Sequence, residues 1–189
     1  MKNPLIAAAL LTLVATGAQA DVATYGIDPT HTFVTFEIPH FGTSTNRGRF
    51  DKKEGTVQFD RAGKSGKVDI TIDTTSVSTG TAPFDKHLKS AEILNAEAFP
   101  TAKFVSDKFS FSGDKVSEVA GQLTLNGKTN PVTLKANNFN CYQNPMLKRE
   151  VCGGDFETTI TRSQWGMAYG LPGIPDNIRL LVQIEAVKQ

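Results

Sequence analysis

EVAGQLTLNGKTNPVTLKA, residues 118–136, sets the architecture of this chain. Val119, Leu123 and Leu125 recur at even spacing before Asn126-Gly127, and Val132 and Leu134 do the same after it. A period of two marks a strand with one buried face. Asn-Gly after such a run is a strong hairpin signal, because both residues tolerate positive φ. Pro131 cannot donate to a ladder, so it suits the first position of the returning strand.

The same pattern spreads outward. HTFVTFEI (31–38) puts Val34, Phe36 and Ile38 on one face, GTVQFD (55–60) Val57 and Phe59, and KVDITID (67–73) Val68, Ile70 and Ile72. FVSDKFSF (104–111) is less regular but holds Phe109 and Phe111 two apart. DFETTIT (155–161) offers Phe156 and Ile160, and NIRLLVQIEAV (177–187) offers Ile178, Leu180, Val182, Ile184 and Ala186. Gly63, Gly66 and Ser112-Gly113-Asp114 mark turns. About eight antiparallel strands with one apolar face each either close on themselves or stack as two sheets. The segment DKHLKSAEILNAEAFPTAKF (85–104) breaks the pattern. Pro83 fits a first helical turn, Phe84, Leu88 and Ala91 fall on one helical face, and Asp85 and Lys89 form an i,i+4 pair. A short amphipathic helix between strands needs apolar surface to cover, and on a barrel that surface is an open end.

Residues 1–20 read as a secretory leader: Lys2, the apolar run LIAAALLTLVA from Leu5 to Ala15, and an A-x-A site ending at Ala20. Residues 21–189 are then one exported domain, periplasmic or secreted. The chain carries 20 basic and 19 acidic side chains, and Lys2 leaves with the leader. A neutral domain lacks the footprint of a nucleic-acid binder. Cys141 and Cys152, the only cysteines, flank NPMLKRE, which reads as an exposed loop. In an exported chain an even pair is expected to be a disulfide, with reduced thiols as the alternative.

DPTHTFVTFEIPHFGTSTNRGRF, DKHLKSAEILNAEAFPTAKF, GQLTLNGKTNPVTL and ITRSQWGM resemble, in order, the signature segments of the YceI-like proteins, a likeness running over residues 23–187. The cysteine-flanked loop departs from many members. The resemblance implies an all-β fold: an extended antiparallel eight-stranded, lipocalin-like barrel with a short helical segment between strands. It also implies an apolar tunnel for a long-chain isoprenoid lipid, a polyprenyl chain or a quinone tail. No catalytic constellation and no cofactor come with it.

Small eight-stranded barrels are filled by side chains or hold one ligand, and alternation alone leaves both open. The tunnel-wall candidates begin with Phe36, Ile38, Phe50, Val57, Phe59, Val68, Ile70 and Ile72. The helical insert adds Phe84, Leu88, Ile93 and Leu94, and the strands after it add Phe104, Phe109, Phe111, Leu123, Leu125 and Leu134. Phe156, Ile160, Trp165, Leu180, Val182 and Ile184 complete the set. His40, His87, Arg47, Arg49 and Lys86, with Lys89, are head-group candidates: imidazoles for a quinone carbonyl, cations for a pyrophosphate. His31, His40 and His87 show no metal-ligand spacing, and no nucleophile elbow, H-E-x-x-H or phosphate-loop motif occurs. The expected protein is a non-enzymatic carrier or store of an isoprenoid that exchanges transiently with a membrane, with homodimerisation left open. The rival readings are a solid-cored stress-response interaction module and an enzyme acting on an isoprenoid or quinone head group.

Overall fold

The computed structural model describes residues 22–189, so the leader reading lies outside the described residues. The strands are β1 (Ala23–Ile27), β2 (Phe33–His40), β3 (Ser44–Phe50), β4 (Lys53–Asp60), β5 (Ser65–Asp73), β6 (Val77–Ser78), β7 (Thr101–Ser112), β8 (Lys115–Leu125), β9 (Lys128–Asn144), β10 (Arg149–Thr161) and β11 (Asn177–Lys188). Among the described residues there is one α-helix, α1 (Ala82–Lys89).

Eight strands close a ring in the order β1-β4-β5-β7-β8-β9-β10-β11, and β11 returns to β1 through Tyr25↔Lys188. All pairings are antiparallel. β2 and β3 carry the wall further at one end: the N-terminal half of β11 pairs with β2 (Leu180↔Phe36), β2 with β3, and β3 with β6 (Phe50↔Val77). Thus β1–β2 and β3–β4 are two long strands, each broken once, at residues 28–32 and 51–52. At the first break Asp28 accepts hydrogen bonds from the Thr30 amide and hydroxyl and pairs with the His31 ring at 2.8 Å. Partial burial raises the Asp28 pKa, but the Thr30 and His31 contacts outweigh it and hold the group at about 2. The same hydrogen bond raises the pKa of His31.

The Asn126-Gly127 hairpin forms as its sequence dictates, with φ of 49° and 71° at the two residues. Three corrections concern what alternation could not show. β1, β3 and β6 were not expected; β3, STNRGRF, carries little apolar pattern, and β1 and β6 are short. The cysteine-flanked stretch is not a long loop: both cysteines sit in strands, face each other as a rung and are joined by a disulfide, leaving a turn of only residues 145–148. Finally, α1 stops at Lys89. Ala91 lies beyond it and is exposed, and Asp85 accepts from the Thr79 amide and hydroxyl at 2.7 Å rather than forming an ion pair with Lys89.

Bulges set which residues face inward. In β7 the inward set steps from Ala102 and Phe104 to Phe109 and Phe111, across a register shift between Val105 and Lys108. In β9 it steps from Leu134 and Ala136 to Phe139 and Cys141, opposite a shift at Asp155/Phe156. One extra residue inverts the parity of everything beyond it.

Candidate functional site

Two apolar cavities lie end to end in the barrel, with no polar atom facing either. The upper one, about 100 Å³, lies beneath α1. Phe36, Phe50, Ile72, Leu123, Leu125, Ile160 and Leu180 form its strand walls. Leu88 from α1, with Ile93 and Leu94 from the turns after it, forms its cover. The lower one, about 80 Å³, is walled by Val57, Phe59, Val68, Ile70, Phe104, Phe109, Leu134, Phe156, Val182 and Ile184. Ile72 and Ile70, or Leu180 and Val182, are successive inward positions of one strand but line different cavities. The two spaces are thus successive along the barrel, and the boundary between them falls between Ile70 and Ile72 and between Leu180 and Val182.

The structure therefore brings together all but four of the expected wall residues, and the four have specific reasons. Ile38 lies past the last rung between β2 and β11, Glu37↔Arg179. Phe84 is half-buried on α1 but outside the wall, because the helix turns Leu88 inward instead. Phe111 stacks on Phe59 at 6.1 Å, outside the lower wall. Trp165 is fully buried behind the upper wall, where its indole Nε1 donates to the Leu123 carbonyl at 3.1 Å. Sequence reading missed Tyr25, Val116 and Phe139 in the lower wall and Val77, Ala102 and Met167 in the upper one. Phe139 follows the β9 bulge. Met167 is held by Arg162, a buried cation whose guanidinium donates to the carbonyls of Met167, Ile174 and Pro175. Burial pulls the Arg162 pKa down, and Asp176 offsets part of that.

The upper mouth lies between α1, the β2–β3 turn and the segment 166–176. The His87 ring meets Tyr169 edge-on at 4.9 Å, beside Leu88 and Met167. His40 meets Phe41 in the same way at 4.8 Å, and Phe41 lies against Gly173. Lys86 is exposed on the same helix. Arg47 and Arg49 lie elsewhere: they project from the outer face of β3, paired with Glu37 and Asp51 at 2.7 Å each. Inward-facing Gly48 and Phe50 alternate with them, so the arginines face solvent rather than the mouth. Among the described residues one group of possible metal ligands comes together, Cys141, Glu150 and Cys152. Its two sulfurs are already bonded to each other.

The YceI-like domain family model matches residues 25–186. The chain belongs to the YceI-like family. It is 38% identical over 192 residues to Protein YceI of Salmonella arizonae, covering all of both chains, and equally so to that of Salmonella heidelberg. Among solved structures, Burkholderia cenocepacia BcnA superposes with a TM-score of 0.70 at 24% identity, over 84% of this chain and 98% of that one. The Campylobacter jejuni YceI protein gives 0.69 at 24% identity, over 80% and 90%. A polyisoprenoid binding domain from Saccharophagus degradans gives 0.64 at 14% identity, over 89% and 100%. These three likenesses establish the YceI-like barrel fold.

Proposed function

We propose that this protein is an exported, non-enzymatic carrier or store of a long-chain isoprenoid, either a polyprenyl lipid or an isoprenoid quinone. The observation that carries the reading is the pair of wholly apolar cavities on one barrel axis. Membership of the YceI-like family supports it, as does the likeness to a domain named for polyisoprenoid binding. Among the described residues, the walls of the two cavities present no carboxylate, imidazole or free thiol, which favours binding over turnover. Each cavity is somewhat smaller than the dry apolar cavity of about 150 Å³ that accepts a benzene ring. A tail that occupies both must turn the side chains at the boundary between them to new rotamers.

Energetics fit a reversible carrier. Moving a forty-carbon tail out of water is worth on the order of 30 kcal/mol at about 0.8 kcal/mol per carbon. That exceeds the roughly 20 kcal/mol ceiling of non-covalent binding. The sum is not an affinity, because the donor is a bilayer in which the tail is already dry. Exchange between bilayer and barrel is then close to neutral, and the fit of the tail with a few polar contacts to its head group tips it.

Gentle purification from the native host, followed by native mass spectrometry and organic extraction, tests this. A bound isoprenoid that is unchanged on incubation is expected. Protein that is empty by both measurements overturns the carrier reading in favour of a solid-cored module. Turnover that depends on His40 or His87 favours an enzyme. The same spectrum reports whether the protein is a homodimer.

A further inference from the structure

The β9–β10 hairpin leaves the barrel at its lower end. The last rung between β9 and β8 is Lys135↔Glu118, and β9 from Ala136 to Asn144 pairs with β10 alone. Its tip is apolar and displayed. Met146 is 89% exposed, the most of any large apolar side chain among the described residues, and Leu147 is 50% exposed. The tip is also held in shape: the Asn144 side-chain oxygen accepts from the amides of Met146 and Leu147, and the Lys148 amide donates to the Asn144 carbonyl. The Cys141–Cys152 disulfide ties the two strands just behind it.

The charge around the tip is predominantly positive. Lys148 and Arg149 follow directly, and neither has a carboxylate partner among the described residues. Across the three turns of this end, residues 60–66, 112–116 and 144–150, five cations stand against three carboxylates. All three carboxylates are engaged: Asp60 is buried and accepts from the Gly63 amide, Glu150 accepts from Tyr25 and Arg61, and Asp114 pairs with Lys64 at 3.9 Å, which leaves Lys115, Lys148 and Arg149 as the cations of this end without a carboxylate partner among the described residues. Apolar side chains at a tip with cations beside them suit the interface of an anionic bilayer. The tip is far smaller than the roughly 800 Å² per partner of a stable protein interface, whereas inserting two side chains into a bilayer needs no groove.

We propose that the turn at residues 145–149 docks the lower end of the barrel on an anionic bilayer, with Met146 and Leu147 in the acyl boundary and Lys148 and Arg149 among the headgroups. The proposal deepens the carrier reading and rests on it for its purpose, since the same hairpin contributes Phe139 and Cys152 to the lower cavity. Docking here brings that cavity, rather than the end beneath α1, next to the source of the tail.

The test is co-sedimentation of the full mature chain with vesicles of phosphatidylglycerol and phosphatidylethanolamine, and with vesicles of phosphatidylcholine alone. Binding is expected to the first and not to the second. Each cation at an anionic surface is worth about a fivefold factor, so Lys148→Ala/Arg149→Ala lowers binding on the order of thirtyfold. Met146→Asp/Leu147→Asp lowers it by about tenfold or more. Leu171→Asp, at the opposite end, leaves it unchanged. All these positions are exposed, and a circular dichroism melt equal to wild type confirms the fold. Failure of wild type to bind anionic vesicles, wild-type binding by both tip variants, or loss of binding by Leu171→Asp overturns the proposal. The carrier reading is judged separately, from the lipid content of the same preparations. Empty protein that still docks through the tip sinks the carrier reading alone, and lipid-loaded protein that ignores vesicles sinks docking alone.

Discussion

Replacing Ala102 by leucine asks whether the upper cavity is real space. Ala102 is buried at 5% exposure and lines that cavity beneath Ile93 and Leu94. Leucine adds three carbons, worth about 2.4 kcal/mol at about 0.8 kcal/mol each. Filling a void of about 100 Å³ at about 24 cal/mol per Å³ gives a similar 2.4 kcal/mol. The two routes agree, so ligand-stripped Ala102→Leu protein is expected to melt about 5–10 °C above wild type. The same side chain occupies ligand space, so the variant purified from the native host retains less lipid. In a solid core, by contrast, the insertion is overpacking, which costs about 1–3 kcal/mol. Calorimetry on stripped protein and organic extraction of native protein read the two effects. A lower melting temperature together with unchanged lipid content refutes the reasoning at its root.

Further outcomes follow from other parts of the molecule. Leu88→Asp sets a carboxylate in the upper cover and is expected to lower lipid retention by at least tenfold, while Phe84→Asp, outside the wall, retains most of it; equal losses would contradict the placement of α1. Cys141→Ala/Cys152→Ala removes a cross-link over a separation of 11 residues, expected to cost about 3 kcal/mol in urea unfolding. Arg162→Met leaves three carbonyls without their donor, which costs about 3–5 kcal/mol and speeds hydrogen exchange through residues 166–176; unchanged exchange would show that Arg162 does not hold that segment. The Asp28–His31 pair makes stability depend on pH at both edges. The raised pKa of His31 adds stability that is complete below its ordinary value of 6.5 and is lost as pH rises through the raised one. Asp28, lowered to about 2 from 3.8, adds stability present above its ordinary value and lost as pH falls toward 2. His31→Ala should therefore flatten the fall in melting temperature as pH rises above 6.5.

Strands whose inward face is apolar and regular, such as KVDITID or GQLTLNG, were legible because burial on one side imposes period two. The two cysteines were legible as a pair, but not as opposed rungs of a long hairpin. Asparagines fill the intervening stretch ANNFN, so nothing in it announces a strand. Phe139 was lost because the bulge inverts parity just before it. Arg47 and Arg49 were misplaced because a basic run near an expected mouth does not say which face it occupies. Only the rung partners Glu37 and Ser78 fix that. Arg162 could not have been singled out, since its three acceptors are main-chain carbonyls that every sequence supplies.

The chain contains one tryptophan, Trp165, whose indole is tethered to the Leu123 carbonyl on the far side of the upper wall. Its fluorescence thus comes from a single known place. If the proposed function holds, a tail entering the upper cavity presses on Leu123 and changes the emission without any label. Titrating the unmodified protein with an isoprenoid while recording this emission therefore tests the proposed loading directly.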